Sequence, residues 1–222
     1  IKILLLSINS AFLLAAAGSP VIALFSERLG LGRQKIFYDK FGAQVAFMGL
    51  LLILCTLPLT VGSWAALYIR PPAQDGQPFL PLLTGASALF CYGVFAFTLL
   101  CAVLYKSLWK KLKKQKLLHS LIGLLAAASL LCSMFLFMAL ARAHFLYGDI
   151  LTVETTIPAL LAFISSIPLS STFWPVLALA ITMSVCAAGA MGLVFLIFRR
   201  KADDWGRDYY QFSLGYCAKW AI

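Results

Sequence analysis

Few side chains in this sequence could hold a metal ion, a haem or a labile proton. The two histidines, His119 and His144, are 25 residues apart, which corresponds to about 37 Å along an α-helix. They therefore cannot bind the same metal ion or the same haem. Each histidine is a candidate for contact with a haem or a quinone, and the simpler alternative is an imidazole solvated at the lipid headgroups.

Arg142 lies two residues before His144, in the sequence RAHF. A cation, an imidazole and an aromatic ring together could contact a quinone headgroup or an acidic partner, and they are also typical of a helix end at a membrane surface. The candidate cofactor-binding residues are therefore His119, Arg142 and His144. No catalytic residue and no metal site is predicted, because the sequence contains no nucleophile elbow, phosphate-binding glycine loop or CxxC spacing.

The acidic residues lie in polar stretches or at the ends of apolar runs: Glu27, Asp39, Asp75, Asp149, Glu154, Asp203, Asp204 and Asp208. This distribution predicts no ionisable group inside the hydrocarbon region, which argues against a proton pump with a midplane carboxylate. The most polar side chain within an apolar run is Asn9, for which we expect a hydrogen-bond partner on another helix.

Composition defines the elements that must position these residues. The chain has 222 residues, of which 62% are hydrophobic and 12% charged, whereas soluble proteins contain about 25% charged residues. Five stretches contain the roughly 20 apolar residues that cross a bilayer: Ile3–Phe25, Phe41–Ile69, Phe79–Leu104, Leu117–Ala141 and Phe173–Phe198. The predicted fold is an all-α integral membrane protein, a bundle of five transmembrane helices over residues 1–200, with residues 201–222 as a cytoplasmic interfacial tail.

The basic residues predict the orientation of these spans. Fifteen of the 18 lysines and arginines lie between spans one and two, between spans three and four, or after span five. The positive-inside rule then places the N-terminus outside and the C-terminus inside, in a multi-pass protein of a bacterial cytoplasmic membrane. The hinge Tyr105–Lys116, YKSLWKKLKKQK, is predicted to be a solvated cytoplasmic loop, with binding of anionic lipid as a secondary possibility.

Two segments outside the spans have unusual compositions. Residues 155–198 carry no charge but are cut by Pro158, Pro168 and Pro175, which predicts a short interfacial or re-entrant helical segment before the fifth span. The tail after Arg200 interleaves aromatic and charged residues, as an interfacial helix does. It could equally begin a sixth helix.

The chain resembles the N-terminal part of subunit I of the cytochrome bd quinol oxidases. The resemblance is carried by Gly18 in span one, by Glu27 at its end, and by the following GRQKIFYDKFGAQVAFMG. The small-residue fourth span and the proline-broken segment leading into span five extend it over nearly all 222 residues. In that family a histidine early in helix one ligates haem b595, and counting back from Glu27 places Asn9 there. The position of the haem b558 ligand in helix five corresponds to the apolar neighbourhood of Leu179–Ala180.

The resemblance without the haem ligands implies a haem-free derivative. The leading hypothesis is a non-catalytic anchor or scaffold subunit of a respiratory electron-transfer complex, possibly next to a quinone. Its expected partners are other membrane subunits, lipid and a redox protein such as a multihaem cytochrome c, with haem or quinone held by those partners and no nucleic acid. The alternatives are a transporter or channel component with a path between subunits, and a b-type cytochrome that uses His119 or His144.

Overall fold

A computed structural model describes residues 2–33, 36–68, 86–112, 114–147, 156–203 and 205–222. Within these ranges all regular structure is helical: α1 Lys2–Arg33, α2 Ile36–Tyr68, α3 Ala86–Ser107, α4 Lys116–Tyr147, α5 Ile157–Ser166, α6 Phe173–Asp203 and α7 Arg207–Ala221. The helices α1, α2, α3, α4 and α6 are long and apolar enough to cross a membrane. The prediction of an all-α bundle of five membrane helices is therefore confirmed.

Helix α1 extends two turns beyond the predicted span. The predicted first span ends at Phe25, but α1 continues through SERLGLGR to Arg33 and α2 begins at Ile36. Polar side chains in this extension have partners inside the protein; Ser26, for example, donates its hydroxyl to the Tyr38 carbonyl at 2.9 Å. The extension is stable because it packs against the neighbouring helices, not because its own composition is apolar.

Helix α1 is the central element and packs against α2, α4 and α6. Its small residues allow this close packing, since Ala15, Ala16 and Ala17 are buried. At Gly18 the backbones of α1 and α6 nearly touch, and a Cβ atom there would lie 2.1 Å from the Ser184 carbonyl oxygen. Small residues at this crossing therefore allow α1 and α6 to approach closely.

Polar side chains within the spans pair across helices. The Asn9 side-chain amide donates to the Thr60 hydroxyl at 3.1 Å, which joins α1 to α2. The Thr98 and Ser133 hydroxyls are 3.1 Å apart and join α3 to α4. A polar group in hydrocarbon is costly without such a partner, so these pairs stabilise the bundle. The predicted packing role of Asn9 is confirmed.

The short segment before the fifth span forms α5, as predicted. The Thr156 hydroxyl accepts a hydrogen bond from the Ala159 N–H at the start of the helix, and Pro158 occupies its first turn, where a missing N–H costs nothing. Leu160 packs with Ala88 and Leu136 at the ends of α3 and α4. With ten residues, α5 is too short to cross a bilayer. Residues 70–77, RPPAQDGQ, whose two consecutive prolines predict a nonhelical connection, lie outside the described residues.

The tail folds back along the bundle. Helix α7 runs antiparallel to the last half of α6, so that Cys217 lies against Gly192 and Trp220 lies against Gly189. We predicted an interfacial tail whose aromatic rings lie among the headgroups, but Tyr209 and Tyr210 are buried in the core. The Tyr209 hydroxyl donates to the Gln44 side-chain oxygen at 2.6 Å. The tail is therefore packed against the bundle, which its charged composition does not indicate.

Packing of α7 predicts a protected thiol. Burial raises the pKa of Cys217 to about 12, so we expect its neutral, unreactive form to persist between about pH 7 and 9. N-ethylmaleimide should leave Cys217 unmodified in the folded protein in detergent micelles, and should modify it after the protein is unfolded in sodium dodecyl sulfate. Peptide mass spectrometry after labelling measures this, and complete labelling of Cys217 in the folded protein would contradict the packing of α7.

Candidate functional site

Titratable and aromatic side chains converge at one end of the bundle, where α1 and α3 end and α2 and α4 begin. We call this the basic end, because Lys106, Lys116 and Arg199 are also located there. Six residues form the cluster: Glu27 from α1, Asp39 from α2, Tyr105 from α3, Trp109 from the hinge, and Lys116 and His119 from α4. The span ends that carry basic residues therefore lie together with the hinge at one end of the bundle. This is expected for spans that alternate in direction.

The centre of the cluster is a buried pair of Glu27 and His119. Glu27 is 1% exposed and His119 is fully buried. The His119 Nδ1 atom lies 2.7 Å from the Glu27 Oε1 atom. The same carboxylate accepts a hydrogen bond from the Tyr105 hydroxyl at 3.1 Å through its Oε2 atom. One carboxylate thus connects α1 to both α3 and α4.

The hydrogen-bond partners of His119 define the number of protons at this site. Its Nε2 atom lies 2.9 Å from the Tyr105 carbonyl oxygen, which can only accept, so Nε2 carries a proton. On the other side, a hydrogen bond between Nδ1 and the Glu27 oxygen requires one more proton between them. The pair is then either imidazolium with carboxylate or neutral imidazole with carboxylic acid. Both arrangements have no net charge, which is the least costly state for a buried pair.

Lys116 connects the buried pair to the protein surface. Its Nζ atom lies 3.7 Å from Glu27 Oε1 and forms a short ion pair with Asp39 at the start of α2. Lys116 and Asp39 are partly exposed, whereas the Glu27 side chain is not. The Lys116 ammonium therefore lies beside both carboxylates of the cluster. The cluster therefore consists of the partly exposed ion pair of Lys116 and Asp39 and, beneath it, the buried pair of Glu27 and His119.

Aromatic rings enclose the imidazole. The Tyr105 ring stacks on His119 at a centroid distance of 4.7 Å, and the Trp109 ring meets its edge at 4.7 Å. Two glycines make room for these rings: a Cβ atom at Gly123 would lie 2.6 Å from the Tyr105 ring, and one at Gly42 would lie 2.9 Å from the Trp109 ring. The rings exclude water from the pair and strengthen its electrostatic interactions.

The geometry of the network limits its chemistry. From Nε2 the network ends at a backbone carbonyl, which accepts a hydrogen bond but cannot pass a proton onward. The Tyr105 hydroxyl donates back to Glu27, so this branch also returns to the pair. The described contacts thus tie four helices together around the proton shared by His119 and Glu27, and they reach the surface through Lys116 and Asp39. They do not form a path that leads from the basic end into the bundle.

The structure corrects two expectations from the sequence. Glu27 was predicted to lie in polar surroundings at the end of a span, but it is buried within α1. His119 was considered to be either a cofactor contact or a headgroup-solvated imidazole, and the second interpretation is wrong because the side chain is fully buried. As placed, both ring nitrogens of His119 are engaged, so binding of haem iron would require the loss of one hydrogen bond.

The three candidate cofactor residues do not form one site. His119 and Arg142 are near opposite ends of α4, 23 residues or about 34 Å apart. The Arg142 guanidinium lies 6.0 Å from the centroid of the Phe173 ring, a contact between α4 and α6. The side chain of His144 lies outside the part of the structure that can be described. Whether Arg142 and His144 contact a quinone stays a prediction.

The sequence analysis did not identify five members of the cluster as site residues: Glu27, Asp39, Tyr105, Trp109 and Lys116. The hinge was predicted to be solvated, but Tyr105 and Trp109 are buried. The sequence did contain an indication of this cluster. The predicted alternation of spans places the end of span one, the end of span three and the start of span four at the same depth in the membrane. A carboxylate, a tyrosine and a histidine at one level are candidates for mutual hydrogen bonding.

The fold and this cluster define the class of the protein: a multi-pass α-helical membrane protein whose described polar side chains join its helices. Among the described residues, no group of three or more His, Cys, Asp or Glu side chains is placed to hold a metal ion. Comparison of the chain with protein-family models, with curated proteins and with solved structures gives no match.

Proposed function

We propose that this chain is a haem-free membrane subunit of a respiratory electron-transfer complex, derived from the scaffold of cytochrome bd subunit I, and that it anchors and orients a redox partner. One observation carries the proposal: the polar side chains that could have served chemistry are engaged with one another. Asn9 is bonded to Thr60, and His119 is bonded to Glu27 and the Tyr105 carbonyl. Such pairing is typical of a structural bundle.

Two of these pairings bear on the missing haems. Asn9 occupies the position that corresponds to a haem-ligating histidine in the oxidases, and its amide is committed to Thr60 on α2. The nitrogens of His119 are both hydrogen-bonded. Neither side chain is therefore arranged as an iron ligand, which supports a scaffold whose cofactors belong to its partners.

The outer faces of the bundle support an anchoring role. Large apolar side chains are exposed along three of the spans: Leu89, Phe97, Leu100 and Leu104 on α3, Leu121, Leu124 and Leu125 on α4, and Leu179, Val194 and Ile197 on α6. These faces suit lipid or the helices of neighbouring subunits. At the end opposite the basic end, Arg142 and His144 form the proposed contact with a quinone or with an extracytoplasmic partner such as a multihaem cytochrome.

The test is purification of the chain from its native membrane in a mild detergent, followed by optical spectroscopy, haem extraction and mass spectrometry of the companions. We expect multihaem cytochromes or other redox proteins among the companions and no haem on the separated chain. A chain that purifies alone would contradict the proposal. So would stoichiometric b-type haem on this chain, and loss of that haem in a His119→Ala variant would identify the ligand.

A further inference from the structure

Two cations from different helices meet over one aromatic ring at the basic end. The Lys106 Nζ atom on α3 lies 5.3 Å from the centroid of the Phe47 ring, and the Arg199 guanidinium on α6 lies 5.5 Å from it. A hydrogen bond from Lys106 to the Ala43 carbonyl, at 3.1 Å, helps to hold the ammonium in this position. Both cations therefore lie within 5.5 Å of the centre of one ring, and together they attract an anion to this point of the bundle.

An apolar stripe on α2 begins at this point. Phe47, Leu51 and Leu54 are four and three residues apart and so share one face of the helix. Leu51 and Leu54 are exposed on the outside of the bundle. Phe195 on α6 packs against Phe47, with ring centroids 6.1 Å apart. Charge is thus concentrated at the basic end of the face, and the described side chains that follow on it, Leu51 and Leu54, are apolar.

We propose that Lys106 and Arg199 bind the phosphate of an anionic phospholipid whose acyl chain lies along Phe47, Leu51 and Leu54. The charge of the headgroup complements the two cations, and the acyl chain covers the stripe. A free phosphate ion could also contact the two cations, but it would leave the stripe uncovered. The lipid is therefore the better fit, and the site is independent of any redox partner.

Cys55 lies beside the stripe, one residue after Leu54, and is exposed, so it can report on the bound lipid. A bimane label is attached to Cys55 in the full chain in detergent micelles, after replacement of Cys132 and Cys186 by serine. Quenching is measured with brominated phosphatidylglycerol, and separately with brominated phosphatidylcholine. We expect phosphatidylglycerol to quench at a much lower mole fraction than phosphatidylcholine.

The K106Q/R199Q variant should bind brominated phosphatidylglycerol about 30-fold more weakly, given roughly 1 kcal/mol for each cation near an anionic lipid. Arg199→Gln alone retains the Lys106 bond to Ala43 and should lose about fivefold on the same basis. The matched control is K110Q/K111Q, which removes two exposed charges from the hinge and should change binding by less than about twofold.

Three outcomes would overturn the proposal. Equal quenching by the two lipids in the unmodified chain would exclude recognition of the headgroup charge. An equal loss in K110Q/K111Q and K106Q/R199Q would mean that the basic end attracts lipid only through its total charge. Full displacement of phosphatidylglycerol by inorganic phosphate at a few times its concentration would assign the site to a free anion. Unchanged quenching by phosphatidylcholine in each variant shows that the bundle is folded.

Discussion

Glu27→Ala is expected to lower the free energy of unfolding by about 3–5 kcal/mol. The substitution removes the partner of His119 Nδ1 and of the Tyr105 hydroxyl at once. Each buried polar atom left without a partner costs about 1–3 kcal/mol. Equilibrium unfolding in mixed micelles, with increasing mole fraction of a denaturing detergent, measures the change.

Asp39→Asn is the matched control, because it also removes one carboxylate charge from the cluster. Asp39 is partly exposed and pairs with Lys116, so its removal should cost less than about 1 kcal/mol. A second comparison replaces both halves of the buried pair, with Glu27→Met and His119→Leu together. This double variant should be less destabilised than the sum of the two single variants, because no unpaired polar partner remains on either side of the pair. Equal effects of Glu27→Ala and Asp39→Asn would contradict the buried pair.

Gly18→Val is expected to prevent the close approach of α1 and α6, at a cost of about 3 kcal/mol or more. Its Cβ atom would lie 2.1 Å from the Ser184 carbonyl oxygen and 2.8 Å from the Val185 Cα atom. Both neighbours belong to the backbone, so a change of rotamer cannot relieve the clash and the helices must separate. Gly18→Ala should already be destabilising. The same unfolding titration in mixed micelles provides the measurement.

Gly93→Ala is the control for this prediction. It also lies within a membrane helix, but an added Cβ atom there would meet no other atom within 4 Å. Alanine has the higher helix propensity by up to about 1 kcal/mol, so this variant should be neutral or slightly more stable. If Gly18→Ala and Gly93→Ala had the same stability, the close crossing of α1 and α6 would be wrong.

The sequence predicted the spans well because each depends on a local property. A run of about 20 apolar residues has few alternatives to a membrane helix, and proline marks the ends of the short helix α5. The C-terminal end of α1 was less predictable from the sequence. Residues 26–33 have the composition of a loop, and they continue the helix because Glu27 finds its partners on α3 and α4. Such long-range compensation leaves no periodic signal in the sequence.

The candidate site was hidden for the same reason. Glu27 and His119 were each evaluated separately, and a lone charged residue near a span end is most simply solvated. Their pairing depends on how α1 and α4 are rotated about their own axes, because this rotation turns both side chains toward the interior of the bundle. The positions of Gly42 and Gly123 also belong to the site, since they accommodate Trp109 and Tyr105. Nothing in the spacing of these glycines connects them to rings on other elements.

The distance along the chain between Glu27 and His119 has a consequence for biosynthesis. Their hydrogen bond links residues 92 positions apart, and ribosomes add about 5–20 residues per second. Helix α1 therefore emerges about 5–20 s before its histidine partner has been made. During this interval Glu27 lacks its His119 partner, and an unpaired carboxylate is costly in lipid. We therefore expect α1 to reach its full stability in the bundle only after α4 has been made.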